Sequence, residues 1–511
     1  MTQFQERHNN FTFAAKSQSQ KFHNLLKTIG PGLTTATAYD TAWAARLHAV
    51  TPELAQSAIK WLRTHQLSDG SWGMGEFVYH HERVICTLIA IIALAENGCC
   101  EDTDRIQEGA ASIDHHLAHL VNDKSGETIA FEMLFPTLMV RAKQLGIMPR
   151  GKTTFFNSMH KTRAYKIARS PGNMISRYVT MSFSAEMAGE DGVHLLDVGN
   201  LQETNGSVGY SPSATAYYLL HIDPQNVDAQ KYLERTFIDG GLPNVATIDI
   251  FERAWSLWNL AITDSHSEQL WQAAQPHLDY LEDAWVPGKG AGTAIDWTLK
   301  DGDGTSIVYE VLKRYGRSVD LDGLLHYETD THFRTFQLES NVSTSTNIHA
   351  YGALRHARLH ETHPSVQKIA DYLKTSQTAQ GYWVDKWHAS PYYPTTHLII
   401  ASAGYQDHLV TKAIDWIYNT QRPDGSWGYY VSTAEETAYC LQALSIWQAA
   451  GHYVPSIAIR KGYHWLNNHM HQPFTPLWIG KCLYTPLLVV QSTIISALML
   501  AERSINMTLS N

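Results

Sequence analysis

The chain has 511 residues, of which 44% are hydrophobic and 17% charged, with 15 Trp, 25 Tyr and a net charge of −10. That length supports two large domains or several small ones, each with its own core, and the composition excludes a disordered chain. An acidic balance without a dominant basic cluster argues against a nucleic-acid binder. Five cysteines (Cys86, Cys99, Cys100, Cys440, Cys482) give no disulfide framework and point to a reducing compartment.

In chain order, Met1 to Asn10 is polar, with Glu6, Arg7 and His8, unlike a signal peptide. Apolar residues recur at helical spacing in Pro52–His65, Glu82–Glu96, Ala214–His221, Phe251–Ala261, Ser306–Tyr315, Glu435–Ala449 and Val489–Glu502. Gly or Asn follows many helical stretches (Asn97-Gly98, Gly146, Gly316, Gly451), as at helix C-termini. The longest uncharged apolar run, Val84 to Ala95, is too short to span a bilayer and suits a buried helix. An all-α, soluble, cytoplasmic protein is expected.

A repeat lies over this helical pattern. Gln66-Leu67-Ser68-Asp69-Gly70-Ser71-Trp72-Gly73 recurs as Gln421-Arg422-Pro423-Asp424-Gly425-Ser426-Trp427-Gly428, and in worn form at Gln202 to Gly209, with Val208 in place of Trp. Asp-Gly or Asn-Gly supplies a positive-φ turn, the Gln amide can bond free backbone groups, and the indole packs over a helix end. The repeat reads as a structural clamp, in two helical barrels built on one plan. Between its outer copies lies Asp301-Gly302-Asp303-Gly304-Thr305-Ser306. By itself this is a turn before a helix; it also resembles part of a calcium loop, without the Glu such a loop needs.

Tyr39-Asp40-Thr41-Ala42-Trp43, Phe131-Glu132-Met133-Leu134-Phe135-Pro136, Ser211 to Ala216, Phe251-Glu252-Arg253-Ala254-Trp255 and Trp478 to Tyr484 follow one another along the chain. With the repeat, they resemble, in order, the landmarks of class II diterpene cyclases. Leu201 to Val208 and Asp385-Lys386-Trp387-His388 look like the bacterial halimadienyl (tuberculosinyl) and kolavenyl diphosphate synthase type. The resemblance implies two α/α-barrel domains, β and γ, with the active site between them. It puts γ at 49–262, inserted after the first β-domain helix, and β at 1–48 and 263–511.

It also implies roles. Protonating an unactivated alkene needs a carboxylic acid kept neutral, and clustered carboxylates that cannot all ionise serve that end. Asp303 falls at the general acid and Asp301 at its partner; Thr305 could orient the carboxyls or cap the next helix. Gly304 departs from the family, which has Asp there, or Thr in the halimadienyl type. Asn347 and His349 fall near the acid, where His349 could orient Asp303, accept the terminating proton or be structural. Trp255, Trp258, Trp285, Trp297, Trp383, Trp387, Tyr392 and Tyr393 are aromatic candidates for a carbocation cavity or for core packing. Lys481 is the candidate diphosphate contact. Glu76, Glu82 and Arg83 fall where a Mg2+ or phosphate site is conceivable.

The implied reaction turns geranylgeranyl diphosphate into a bicyclic, rearranged halimadane or clerodane diphosphate such as kolavenyl diphosphate. The chain contains no Asp-Asp dipeptide, hence no class I metal motif, so the diphosphate stays on a product destined for a class I terpene synthase or a phosphatase. Competing expectations are an unrearranged copalyl-type product, a squalene-hopene type cyclase, a protein prenyltransferase subunit and a non-catalytic lipid-binding barrel.

Overall fold

The computed structural model describes residues 18–30, 32, 34–120, 126–148, 153–339 and 341–510; the expectation for Met1 to Asn10 lies outside the described residues. Among the described residues the structure is helical apart from isolated bridges and one antiparallel pair, Trp478–Ile479 with Leu483–Tyr484.

Six helices form a closed ring. Asp249–Ala261, Gly302–Arg314, Thr344–His356, Tyr392–Ser402, Ala434–Ala449 and Leu487–Ser510 each pack on the next, and the last returns to the first. Outside them run Glu268–Ala284, Pro364–Ser376, Thr411–Thr420 and Ser456–Asn468. The outer helices bury one stripe, as Leu270, Ala274, Leu278 and Leu281 do, whereas the inner helices are covered on nearly all sides. A second ring is made by Ala38–Ala45, His80–Asn97, Phe131–Gln144, the 3₁₀ run Thr180–Ala188 and Pro212–His221. Helix Leu487–Met507 is long and apolar enough to cross a membrane, but it is a mostly buried wall of the first ring.

The two cores divide the chain differently from the expected 49–262 insert. One gathers Phe22 to Ile29 with residues from Ile250 onward; the other gathers Ala38 to Leu242 with Cys482. Ala38–Ala45 therefore packs with the inserted ring and Asp249–Ala261 with the flanking one. Each helix sits where its apolar face is covered.

The repeat acts as the clamp its residues imply. Trp72 Nε1 donates to Leu62 O at 2.8 Å, Gln66 Nε2 to Gly70 O at 3.0 Å, and Trp72 N to Thr87 Oγ1 at 2.9 Å. Trp427, Gln421 and Thr437 repeat these bonds, with Gly70 and Gly425 at φ +80° and +97°. An unexpected further copy is Gln377 to Trp383: Gln377 bonds Gly381 O, and Trp383 bonds Leu373 O and Thr395 Oγ1. It escapes the sequence reading because Gln380 and Tyr382 stand where Asp and Ser mark the other copies.

The threonine half of the clamp is more general than the tryptophan half. Leu242 N donates to Thr41 Oγ1 and Ala291 N to Thr305 Oγ1, at 2.9 and 3.0 Å. Thr305 Oγ1 also donates to Ala291 O at 3.0 Å, so its single proton is spent on that carbonyl. The expected catalytic role of Thr305 is thus corrected to a structural one.

Candidate active site

A cavity of about 350 Å³ lies between the two rings. Met181, Phe183 and Met187 line it from one ring, and Phe251, Trp255 and Asp303 from the other. Trp297, Phe336, Trp387, Trp478 and Tyr484 complete a largely aromatic wall.

Both motif carboxyls line this cavity, at the start of helix Gly302–Arg314. Asp301 is the N-cap: its Oδ1 accepts from Gly304 N at 2.6 Å. Burial pushes its carboxyl up to about 7, the Asp303 charge adds to this, and the Gly304 N–H opposes it. A Cβ at residue 304 would stand 3.2 Å from both Asp301 carboxyl oxygens, so glycine lets this carboxyl seat tightly over the first turn.

Asp303 is only partly buried, and its Oδ1 lies 2.6 Å from His349 Nδ1. His349 Nε2 lies 2.9 Å from His397 Nδ1. Burial, with His349 and His388 nearby, holds His397 well below the usual imidazole range, so it is neutral. In the tautomer assignment consistent with these distances, His397 Nδ1–H donates to His349 Nε2 and His349 Nδ1–H donates to Asp303 Oδ1. Asp303 Oδ2 is then free to carry a proton toward the cavity.

The other expected site residues separate into two groups. Trp255, Trp297 and Trp387 line the cavity, and Trp255 Nε1 donates to Tyr393 OH at 3.1 Å. Trp258 sits behind the acid, 4.7 Å from the His397 ring, donating to Glu310. Trp285 and Tyr392 pack away from the cavity, on Tyr309 and Trp416, and Trp383 is a clamp. Asn347 does not touch the cavity either. Its amide is spent on Phe333 N, Phe333 O and Ser343 O, anchoring the loop whose Thr335 O accepts from Gly302 N.

Lys481 is a correction. Its ammonium is wholly buried and bonded to Glu186 Oε1 at 2.7 Å, Ser211 Oγ at 2.6 Å, Phe183 O at 2.8 Å and Ser213 Oγ. An ammonium has three protons, and these acceptors consume them, leaving none for a diphosphate. The metal expectation at Glu76 and Glu82 is corrected as well. Glu82 is buried and accepts from Met74 N and Leu483 N at 3.2 and 3.1 Å, while Glu76 is exposed. Arg83 is occupied by Asp69 and Ser71. Among the described residues no three His, Cys, Asp or Glu side chains gather for a metal.

Sequence reasoning missed His397, Trp478, Tyr210 and Lys386 as site residues. Tyr210 lines the cavity from a backbone at φ +49°, a left-handed conformation unusual for tyrosine. No sequence signal marks it.

Residues 341–475 match the family described as squalene-hopene cyclase C-terminal domain. The chain is 42% identical over 506 residues to a type B diterpene cyclase of Mycobacterium tuberculosis, covering 95% of this chain and 99% of that one. It is 31% identical over 503 residues to an ent-copalyl diphosphate synthase of Streptomyces, covering 92% and 93%. The solved ent-copalyl diphosphate synthase of Streptomyces platensis is similar at a TM-score of 0.75 and 26% identity, over 95% of this chain and 99% of that one.

Proposed function

This chain belongs to the class II diterpene cyclases, and from that premise we propose that it cyclises geranylgeranyl diphosphate with Asp303 as the general acid. The observation that carries the reading is the 2.6 Å contact between Asp303 Oδ1 and His349 Nδ1, backed by His397, which burial holds well below the usual imidazole range. His349 holds one carboxyl oxygen, which directs the proton on the other toward the terminal alkene. When the proton leaves, the same imidazole N–H stabilises the carboxylate. Burial pushes the Asp301 carboxyl up to about 7, so below that pH it is protonated and spares Asp303 a second negative charge during proton transfer.

The cations that follow ring closure meet the faces of Trp255, Trp297, Trp387 and Trp478, which line the cavity. The product is a bicyclic diterpenyl diphosphate, of halimadane or clerodane type by resemblance, that keeps its diphosphate for a class I synthase or a phosphatase. The 42% relative bearing the name type B diterpene cyclase supports a diterpene substrate. Mg2+ would accompany the diphosphate as its counter-ion. The two rings correspond to the γ and β domains.

The test is incubation of the purified protein with geranylgeranyl diphosphate, followed by dephosphorylation, mass spectrometry and NMR. Wild type should yield one bicyclic alcohol and Asp303→Ala none. Wild type that leaves C15, C20 and C25 prenyl diphosphates unchanged would end the cyclase assignment, and a labdane skeleton would replace the rearranged product.

A further inference from the structure

We infer that the buried carboxylate of Glu435, acting through the indole of Trp478, draws the positive charge of the cyclising substrate to one wall of the cavity. Glu435 is thus a positioning residue. The inference rests on the cyclase reading and deepens it with a specificity-determining group behind the lining.

Trp478 lines the cavity, and its Nε1 donates to Glu435 Oε1 at 2.9 Å. The same oxygen accepts from Tyr439 OH at 2.8 Å and lies 3.4 Å from His388 Nε2. Ser390 N–H donates to His388 Nδ1 at 3.1 Å, so in the matching tautomer Nε2 carries the proton toward Glu435. Three donors on one oxygen suit a carboxylate. So does its place in the first turn of helix Ala434–Ala449, where the helix dipole favours negative charge.

What Glu435 lacks is a strong counter-charge. It is buried, and among the described residues only His388 makes an ion-pair contact with it, and no Lys or Arg does. Its Oε2 is buried without a hydrogen-bond partner. Glu436, the next residue, spends both oxygens: Oε1 on Ser390 Oγ at 2.5 Å and Tyr429 N at 2.8 Å, Oε2 on Thr433 Oγ1 at 2.6 Å. A buried charge left as Glu435 is left is costly until an opposite charge completes it. The carbocation formed in the cavity is that opposite charge.

The indole transmits the effect. A ring whose N–H donates to a carboxylate is polarised and carries more negative charge on its face, so it attracts a cation more strongly. Trp478 packs at 5.0 Å on Tyr393, which packs at 6.0 Å on His349, so one ring separates this wall from the partner of Asp303. Charge created by Asp303 is therefore held beside Trp478 while shifts precede proton loss.

Calorimetry of wild type, Glu435→Gln and Trp478→Phe tests this with two analogues of geranylgeranyl diphosphate. One carries a tertiary ammonium in place of an alkene carbon, and the other is its neutral carbon isostere. Wild type should prefer the ammonium by about tenfold. Glu435→Gln keeps an acceptor for the indole and should lose that preference with unchanged affinity for the isostere. Trp478→Phe keeps an aromatic face without the N–H and should lose it too, and combining the two changes should add little. With geranylgeranyl diphosphate, Glu435→Gln should lower kcat by about tenfold at similar KM and split the product into several skeletons. Glu502→Gln, which removes a buried carboxyl bonded to Tyr463 elsewhere in the ring, should shift melting but not the preference. A folded Glu435→Gln protein that keeps the preference and the single product overturns the inference. So does full additivity of the two changes, or a wild type that binds both analogues alike. If Glu435→Gln does not fold, an undiminished preference in Trp478→Phe overturns it instead. If wild type converts no prenyl diphosphate, the cyclase reading fails, and the ammonium preference still decides the role of Glu435.

Discussion

Asp303 Oδ1 and His349 Nδ1 lie 2.6 Å apart, and this one contact fixes which carboxyl oxygen can face the substrate. Asp303→Asn removes the acid and should lower kcat by at least about a thousandfold. His349→Phe leaves the acid unoriented and its conjugate base unsupported; a loss of about ten- to a hundredfold is expected. Single-turnover conversion of geranylgeranyl diphosphate reads both. Wild-type kcat in His349→Phe would remove the histidine from the mechanism.

Asp301 gives the pH dependence. Its carboxyl is raised from 3.8 to about 7, chiefly by burial and then by Asp303, so the folded state holds a proton that the unfolded chain has lost. The sign follows from linkage: this group's contribution to stability is fully present below about pH 4 and is lost as pH rises through about 7. Turnover that needs Asp301 neutral should fall over the same upper limb. Asp301→Asn keeps an acceptor for the Gly304 N–H and should flatten that limb near pH 7 while retaining activity. A pH–kcat profile of the variant identical to wild type would assign the limb to another group.

Much of the site was legible because its residue types carry their chemistry with them. Asp303 meets His349 at 2.6 Å and shares its cavity with Asp301, while Gln66-to-Trp72 and Gln421-to-Trp427 clamp helices as amide and indole should. What the sequence hides is occupancy. Lys481 reads as a free cation until Glu186, Ser211 and Ser213, more than 250 positions away, are seen to fill its coordination. Thr305 reads as an active-site hydroxyl until Ala291 O is seen to take its proton. His397 acts only through His349, and no local pattern announces a relationship across 48 residues.

The Lys481–Glu186 pair separates structure from binding. Both side chains are fully buried at 2.7 Å. Lys481→Met strands the Glu186 carboxylate and should cost about 3–5 kcal/mol, with the loss partly recovered in Lys481→Met/Glu186→Leu. Urea unfolding measures both. A Lys481→Met protein of normal stability with a strongly raised KM would return Lys481 to the diphosphate site.

Thr305 should behave as a clamp. Thr305→Val leaves Ala291 N–H without its partner, while Ala291 O keeps the Asp301 N–H at 3.1 Å, and should destabilise by about 1–3 kcal/mol. The kcat of the folded protein should change little, as read from active-site-titrated samples. A large loss of kcat with unchanged melting would argue for a hydroxyl in the chemistry.

Gly304 tests how the acid is tuned at the position where the resemblance implies Asp or Thr. A side chain there begins 3.2 Å from both Asp301 oxygens, tighter than ordinary contact, so Gly304→Ala should already lower kcat severalfold. Gly304→Asp adds a like charge beside a carboxyl that burial already holds at about 7. The physical consequence is a still higher pKa for the pair, so the upper pH limb should move alkaline by about one unit while kcat at its plateau falls from crowding. The acid function would thus gain pH range at the expense of fit, which explains how glycine can stand there without abolishing the acid. A Gly304→Asp profile with an unmoved limb would show that residue 304 does not communicate with Asp301, and would leave burial alone as the cause of its neutrality.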